Sequence, residues 1–146
     1  MTARTDRLDR PKRRQVGALC WRPGPEGPEI LLITSRDTGR WVTPKGNPMS
    51  GVGDARAAAQ EALEEAGVAG ELHETSLGVF HYHKRLSGKA RRLTAVDLYP
   101  LRVTAELDTW DEAHQRERRW FAPEAAAAAV DEPELKTLIR DFRPAD

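Results

Sequence analysis

Short apolar runs separated by turn-forming residues dominate the first third of the chain. Val16–Trp21 and Ile30–Ser35 are apolar segments of strand length, and the Pro- and Gly-rich stretch 23–28 lies between them. This arrangement predicts a β-hairpin. A short extended segment, Trp41–Thr43, then leads into Pro44–Gly53, where two prolines and three glycines among ten residues predict a loop.

Helical patterns appear after this loop and again near the end of the chain. Asp54 is a favourable N-cap for a helix from Ala55 to about Ala66, which Gly67 would end. Pro123 opens an Ala-rich helix. The last helix is amphipathic, with apolar residues at i, i+3, i+4 and i+7: Leu135, Leu138, Ile139 and Phe142.

Three more strands are predicted between these helices. Leu77–His83 and Leu93–Val103 flank a turn at 87–89, and Trp120-Phe121 ends a further short strand. Pro100 lies inside the longest of the three, which implies an edge position or a bulge because proline cannot donate to a sheet. Strands and helices together predict a mixed α/β domain.

Composition limits the classes of protein to which the chain can belong. The length of 146 residues favours a single domain, which we place at 15–146, after a basic tail at 1–14 that we expect to be disordered. The longest apolar run, 125–130, is far shorter than the roughly 20 residues of a membrane span. No signal peptide is visible, and a single Cys20 excludes an intramolecular disulfide and a Cys-based zinc site. We therefore expect a cytoplasmic protein.

The balance of 23 basic and 23 acidic residues conceals charged blocks. Residues 15–80 hold five basic and nine acidic side chains, whereas 81–92 hold five basic and no acidic ones. Such a layout would suit a metal-bound anionic ligand, although a solvated basic hairpin is the alternative that composition alone favours.

Three glutamates are spaced to share one face of the predicted helix 55–66. Glu61, Glu64 and Glu65 occupy positions i, i+3 and i+4, where like charges repel. Carboxylate oxygens suit hard divalent cations such as Mg²⁺ or Mn²⁺. A plain solvated helix face explains the same cluster, so the glutamates alone do not decide between the two interpretations.

The segment around this helix resembles the Nudix hydrolase box, G-x5-E-x7-R-E-U-x-E-E-x-G-U, where U is a bulky aliphatic residue. Val52 stands where the family has its first Glu, Gln60 where it has Arg, and Ala62 is a soft match at a bulky position. The matching positions are Gly46, Glu61, Glu64, Glu65, Gly67 and Val68.

The resemblance extends beyond the box, over about residues 15–143. Arg40–Gly46 and the Arg119–Phe121 segment are similar to parts of the subgroup that acts on diphosphoinositol polyphosphates and diadenosine polyphosphates. The fold that this implies is the Nudix fold, a mixed β-sheet sandwiched between helices (α/β/α). The implied activity is hydrolysis of a phosphoanhydride bond in a polyphosphorylated small molecule, with Mg²⁺ or Mn²⁺ as cofactor.

The resemblance also implies roles for individual residues. Glu61, Glu64 and Glu65 would be catalytic, and Gly46, Glu61 and Glu65 would form the metal site. Glu112 or Glu117 could supply the further carboxylate that such enzymes often use as a base. Basic residues suited to contacting phosphate are Arg40, Lys45, Lys84, Arg85 and Arg91.

The two altered box positions leave a second interpretation open. In the family the missing Glu and Arg form an ion pair that ties loop to helix, so their joint loss should preserve the fold but relax the placement of Glu61. Arg56, one turn before Gln60, could partly substitute. A catalytically weak domain that binds a nucleotide or sugar nucleotide is therefore the alternative function. Nucleic acid and membrane are not expected partners, and a homodimer is an open alternative.

Overall fold

A mixed eight-stranded sheet lies at the centre of the computed structural model, which describes residues 13–144. The central strand β1 is antiparallel to β2 and parallel to β7, so the sheet is mixed as predicted. The strand order along the main path is β3-β2-β1-β7-β5. The strands are β1 (Arg13–Gly24), β2 (Gly27–Thr34), β3 (Trp41–Val42), β4 (Lys45–Gly46), β5 (Val68–Leu72), β6 (Gly78–Arg85), β7 (Arg91–Glu106) and β8 (Arg118–Phe121).

Helices cover both faces of this sheet. They are α1 (Asp54–Ala66), α2 (Pro123–Ala129) and α3 (Pro133–Asp141). Ala18 of β1 belongs to the core under α1, whereas its neighbour Leu19 belongs to the core under α2 and α3. Successive side chains of a strand point to opposite faces, so the uninterrupted buried run of β1 follows from the presence of a helix layer on each side. The predicted α/β/α sandwich is confirmed.

Several element boundaries differ from those predicted. Gly53, not Asp54, is the N-cap residue of α1, and Asp54 lies in the first turn, where its carboxylate pairs with Arg14 at 2.9 Å. β1 begins at Arg13, and residues 1–12 of the predicted tail lie outside the described residues. β5 was not predicted, because its five residues include Gly70 and three exposed positions and so lack a strand pattern.

Pro100 is neither at a sheet edge nor at a bulge, so that prediction was wrong. β7 lies between β1 on one side and β5 and β6 on the other, and its register shift lies opposite Ala69 and Gly70. The carbonyl of Pro100 accepts the His73 N–H at 3.1 Å, in the connection between β5 and β6. The backbone N and O of one residue point to the same side of a strand. The nitrogen of Pro100, which has no hydrogen to donate, therefore points towards this connection and not towards a neighbouring strand, so no ladder hydrogen bond is lost.

The sequence predicts neither a membrane-spanning segment nor an intramolecular disulfide, and the described part of the chain bears on both. None of its helices is long and apolar enough to cross a membrane. Cys20 is a free, buried thiol in the core under α1, and burial raises its pKa to about 12. Cys20 therefore behaves as a small apolar core residue.

Gly67 ends α1 in a conformation that also leaves no room for a side chain. Its φ is +67°, and a Cβ would lie 2.5 Å from the ring of Trp110. We expect Gly67→Ala to lower the free energy of unfolding by about 2–4 kcal/mol, through left-handed strain and displacement of the indole. Urea unfolding followed by circular dichroism measures this loss.

Gly88→Ala is the matched control. Gly88 has a φ of +58° with nothing within 4 Å of an added Cβ, so only the strain of about 1–2 kcal/mol remains. Equal losses in the two variants would show that contact with Trp110 does not constrain the end of α1.

Candidate functional site

The glutamate face of α1 lies against the short strand β4. β4 pairs with β1, so that Gly46 lies opposite Val16. The backbone of Gly46 thereby lies next to helix α1. A Cβ at Gly46 would overlap the carboxylate of Glu61. The absence of a side chain at Gly46 therefore makes the approach of loop and carboxylate possible.

Glu65 is the most enclosed carboxylate of this face. Its Oε1 accepts the backbone N–H of Lys45 at 3.2 Å, and its Oε2 lies 3.7 Å from Arg116 Nη2. Only 12% of the Glu65 side chain and 9% of the Arg116 side chain are exposed. Arg116 also donates to Glu112 Oε1 at 2.7 Å and to the Thr34 carbonyl at 3.0 Å. Arg116 thus brings a fourth carboxylate, Glu112, to the glutamate face.

The carboxylate cluster formed by Glu61, Glu64, Glu65 and Glu112 carries excess negative charge. Burial, followed by the charges of Glu65, Glu64 and Glu112, raises the pKa of Glu61 to about 7. Burial also raises the pKa of Glu65, although Arg116 and the Lys45 amide oppose that rise. Burial and neighbouring negative charges disfavour the ionised form of a carboxyl group, and a nearby cation would stabilise that ionised form.

The carboxylate cluster resembles a magnesium site with few protein ligands more than a site in which protein side chains supply every ligand. Within residues 13–144, no three His, Cys, Asp or Glu side chains are already grouped so as to hold a metal ion. Mg²⁺ commonly uses one or two carboxylates and takes its remaining ligands from water and substrate phosphates. The oxygen donors of Glu61 and Glu65 match this chemistry.

A basic cavity of about 250 Å³ adjoins the carboxylate cluster. It is lined by seven cationic side chains, and all five predicted phosphate-binding residues are among them. Asp37 is the one carboxylate that residues 13–144 contribute to its wall. The cationic residues are Arg36, Arg40, Lys45, Lys84, Arg85, Arg91 and Arg116.

Comparison with known proteins identifies the family. Residues 11–142 match the model of the NUDIX domain. The chain belongs to the Nudix family. It is 36% identical over 123 residues to Nudix hydrolase 12, mitochondrial, of Arabidopsis thaliana, a match that covers 78% of this chain and 58% of the relative. It is 33% identical over 116 residues to human diphosphoinositol polyphosphate phosphohydrolase 3-beta, covering 78% and 66%. The chain thus spans about three fifths to two thirds of these curated relatives.

Solved structures show the same fold at lower sequence identity. The Ap4A hydrolase of C. elegans in a binary complex superimposes with a TM-score of 0.63 at 23% identity, covering 88% of this chain and 93% of that one. A NUDIX hydrolase from Nitrosomonas europaea gives a TM-score of 0.66 at 18% identity, covering 88% and 86%. These likenesses confirm the Nudix fold.

The residues at the two altered positions of the Nudix box, Val52 and Gln60, make contacts other than an ion pair. Val52 packs against the core under α1, and Gln60 donates to Glu64 Oε2 at 2.8 Å. Arg56 is exposed and makes no side-chain hydrogen bond or ion pair with the described residues, so it does not replace the box arginine. A neutral pair of residues has taken the place of an ion pair without leaving a charge unpaired.

The predicted phosphate contacts in this Nudix domain are not equally free. Arg40 Nη2 lies 2.9 Å from Glu132 and its Nη1 lies 3.7 Å from Asp131, so its charge is partly neutralised. Lys45 Nζ lies 4.8 Å from the centre of the Tyr82 ring. Burial lowers the pKa of Lys45 to about 8, which still leaves the ammonium largely protonated at pH 7.

The hairpin of β6 and β7 places like charges opposite each other. Lys84 pairs with Arg92 and Arg85 pairs with Arg91 in the antiparallel register. Directly opposed like charges destabilise a hairpin. Lys84, Arg85 and Arg91 all line the basic cavity, so an anion bound there would relieve this repulsion.

Sequence reasoning missed part of the site and left one choice open. Arg36, Arg116 and Tyr82 line the basic cavity but were not predicted. The spacing of Glu112 and Arg116 at i and i+4 could have suggested an ion pair. The structure brings Glu112 to the carboxylate cluster. Glu117 instead contacts Thr34 through its backbone: its N–H donates to Thr34 Oγ1 at 2.8 Å, and its carbonyl accepts the Thr34 N–H at 3.0 Å.

A larger cavity of about 430 Å³ lies elsewhere in the domain. It shares no lining residue with the basic cavity and is lined largely by apolar side chains such as Trp21, Leu72 and Phe142. The five predicted phosphate-binding residues all line the smaller cavity, which also adjoins the carboxylate cluster.

Arg91→Gln should separate anion binding from hairpin stability. Without anion, removal of the Arg85–Arg91 repulsion should leave the hairpin about 0.2–1 kcal/mol more stable. Loss of one charged contact should weaken tripolyphosphate affinity about tenfold. At a tripolyphosphate concentration of about 100 times the wild-type Kd, the anion should therefore stabilise the variant about half as much as it stabilises wild type. Scanning calorimetry at constant ionic strength measures both effects.

Arg102→Gln serves as control, since Arg102 is an exposed arginine of the same strand that lies outside the basic cavity. If the two variants respond equally to tripolyphosphate, the anion binds elsewhere.

Proposed function

We propose that this chain is a divalent-metal-dependent Nudix hydrolase that cleaves a phosphoanhydride bond in a polyphosphorylated small molecule. One observation carries the proposal: Lys45 and Arg116 line the basic cavity and also contact Glu65. A substrate whose phosphates enter the cavity therefore reaches the carboxylate cluster. Relatives of the chain are named Nudix hydrolases and diphosphoinositol polyphosphate phosphohydrolases, which supports this reaction class.

The carboxylates divide into cation-holding and proton-accepting groups. We assign Glu61 and Glu65, with the carbonyl of Gly46, to hold Mg²⁺ or Mn²⁺. The cation, when bound, supplies positive charge beside the phosphates and lowers the pKa of water. Glu64, oriented by Gln60, is either a third ligand or the base that takes the proton of the attacking water. Glu112 is the further candidate for that base.

The basic cavity favours a densely phosphorylated, non-aromatic substrate. Arg40, Lys45, Lys84, Arg85 and Arg91 are assigned to its phosphates. Tyr82 is the only Phe, Trp or Tyr among the described residues of the cavity wall, and Lys45 lies over its ring. A nucleobase would lack a free aromatic platform on which to stack. We therefore favour a diphosphoinositol polyphosphate over a dinucleoside polyphosphate as substrate.

A catalytically weak binding domain is the second candidate function. The observation that favours it is the altered Nudix box, in which Val52 and Gln60 replace the residues that would support Glu61. Such a domain would bind a nucleotide or sugar nucleotide without cleaving it. Turnover of a panel of diphosphoinositol and dinucleoside polyphosphates distinguishes the two functions.

Glu65→Gln should abolish turnover without unfolding the chain. The amide can still accept the Lys45 N–H but offers no negative charge to a cation, so we expect a loss of more than about 100-fold in kcat. Phosphate release from diphosphoinositol and dinucleoside polyphosphates with Mg²⁺ or Mn²⁺ measures turnover, and EDTA should suppress it.

Glu71→Gln, on the exposed part of β5, should keep wild-type activity. Retained activity in Glu65→Gln would remove the metal assignment. If wild type turns over no substrate, and a nucleotide nevertheless raises its melting temperature, the binding domain is the correct function.

Restoring the box ion pair should tighten the metal site. We expect the Val52→Glu/Gln60→Arg double variant to bind Mn²⁺ up to about tenfold more tightly than wild type, because a tied loop restrains Glu61. Val52→Glu alone should destabilise the fold, since it directs an unpaired carboxylate towards the core under α1. Titration calorimetry measures the affinity, and unchanged affinity and turnover in the double variant would show that Glu61 needs no such support.

A further inference from the structure

Every orphan carbonyl at the C-terminus of α1 is hydrogen-bonded. The last four carbonyls of a helix have no partner within it, and three of these four are here satisfied by the segment that precedes and begins β8. Leu63 O accepts the N–H of Gly67 at 3.1 Å. The other acceptors and their donors are Glu64 O with the Glu112 N–H at 3.2 Å, Glu65 O with Trp110 Nε1 at 3.0 Å, and Ala66 O with Arg118 Nη1 at 2.9 Å.

Arg118 and Trp110 form the centre of this capping arrangement, which we name the C-terminal clamp. Arg118 also donates to Gly67 O at 3.1 Å and to Leu107 O at 2.7 Å. Its guanidinium lies 4.1 Å from the centre of the Trp110 ring. A cation at this end of the helix complements the helix dipole. The clamp therefore binds the end of α1 through hydrogen bonds, stacking and charge together.

The N-terminal end of α1 has weaker support, since the ion pair between Asp54 and Arg14 that holds its first turn is partly exposed to solvent. Its N-cap, Gly53, makes no side-chain capping hydrogen bond. Val52 and Gln60 lack the box ion pair that would tie this end to the preceding loop. The repelling glutamates Glu61, Glu64 and Glu65 lie in the half of the helix that the clamp holds.

We propose that Arg118 and Trp110 are positioning residues that hold the last turn of α1, and through it the carboxylates, in the geometry needed for cation binding. The consequence for catalysis rests on the proposed function. Neither residue lines the basic cavity, so the clamp acts on the carboxylates and not on the phosphates. It replaces, at the opposite end of the helix, the support that the altered box has lost.

Arg118→Ala and Arg119→Ala form a matched pair that tests the clamp in the full chain. Arg119 is the next residue and also lies over an indole, 5.0 Å from the Trp41 ring, but it gives no hydrogen bond to α1. We expect Arg118→Ala to weaken Mn²⁺ affinity by about 10–100-fold and to lower kcat similarly, with KM unchanged within about twofold. Arg119→Ala should match wild type. Calorimetric Mn²⁺ titration and steady-state kinetics measure these quantities.

Hydrogen exchange in the metal-free chain gives an independent measurement. In Arg118→Ala the amides of Gly67 and Leu107 should exchange at least about tenfold faster than in Arg119→Ala, because both belong to the clamped turn. Trp110→Phe keeps an aromatic ring beside Gly67 but removes the N–H that Glu65 O accepts, together with part of the indole surface, so it should weaken Mn²⁺ affinity by about 3–10-fold. This variant decides the question if Arg118→Ala does not fold.

The outcomes separate the clamp from the proposed function. A folded Arg118→Ala with the Mn²⁺ affinity and exchange rates of Arg119→Ala would overturn the proposal. If wild type neither binds Mn²⁺ nor turns over substrate, the proposed function is wrong and the catalytic role falls with it. The exchange comparison then still decides whether the clamp holds the helix.

Discussion

Repulsion among carboxylates on one helix face is the constraint around which the functional half of this domain is organised. Like charges at i and i+4 cost an isolated helix about 0.2–0.5 kcal/mol per pair, and partial burial makes the cost larger. Here it is visible as the raised pKa of Glu61, which burial and three neighbouring carboxylates bring to about 7. The surrounding contacts oppose this repulsion: the Lys45 amide and Arg116 at Glu65, and the clamp at the helix end.

The basic cavity shows the complementary imbalance. Cationic side chains on β6 and β7 are held opposite one another, and Asp37 alone of the described residues contributes a carboxylate to the cavity wall. Among the described residues, the two charged surfaces touch directly at three cationic residues: Lys45 and Arg116 contact Glu65, and Arg36 Nε lies 3.8 Å from Glu112 Oε1. A cation on the carboxylates and a polyanion in the cavity would relieve both surfaces at once. Binding energy from such a polyanion would then be available to draw its phosphates towards the cation.

The parts of the fold and site that depend on local spacing could be predicted from the sequence, and those that depend on tertiary contacts could not. Helix α1 and its glutamate face follow from spacing within twelve residues. The resemblance in the same segment predicted the Nudix fold, which the family match over residues 11–142 and the solved structures confirmed. The position of Glu112 depends on Arg116, which spans from β2 to the carboxylates through contacts distant in sequence. Pro100 misled prediction because the rule for proline concerns a missing donor, and here that donor would face the β5–β6 connection.

The same distinction explains how the box can tolerate Val52 and Gln60. A sequence motif records which residues usually support a helix, but the physical requirement is only that the helix does not move. That requirement can be met at either end, because a helix with its internal hydrogen bonds intact transmits a constraint along its length. In this chain the requirement is met where four carbonyls, an indole and a guanidinium converge on one turn. Judging a Nudix box by its own residues alone therefore underestimates this site, whose supporting contacts come from the segment that precedes and begins β8.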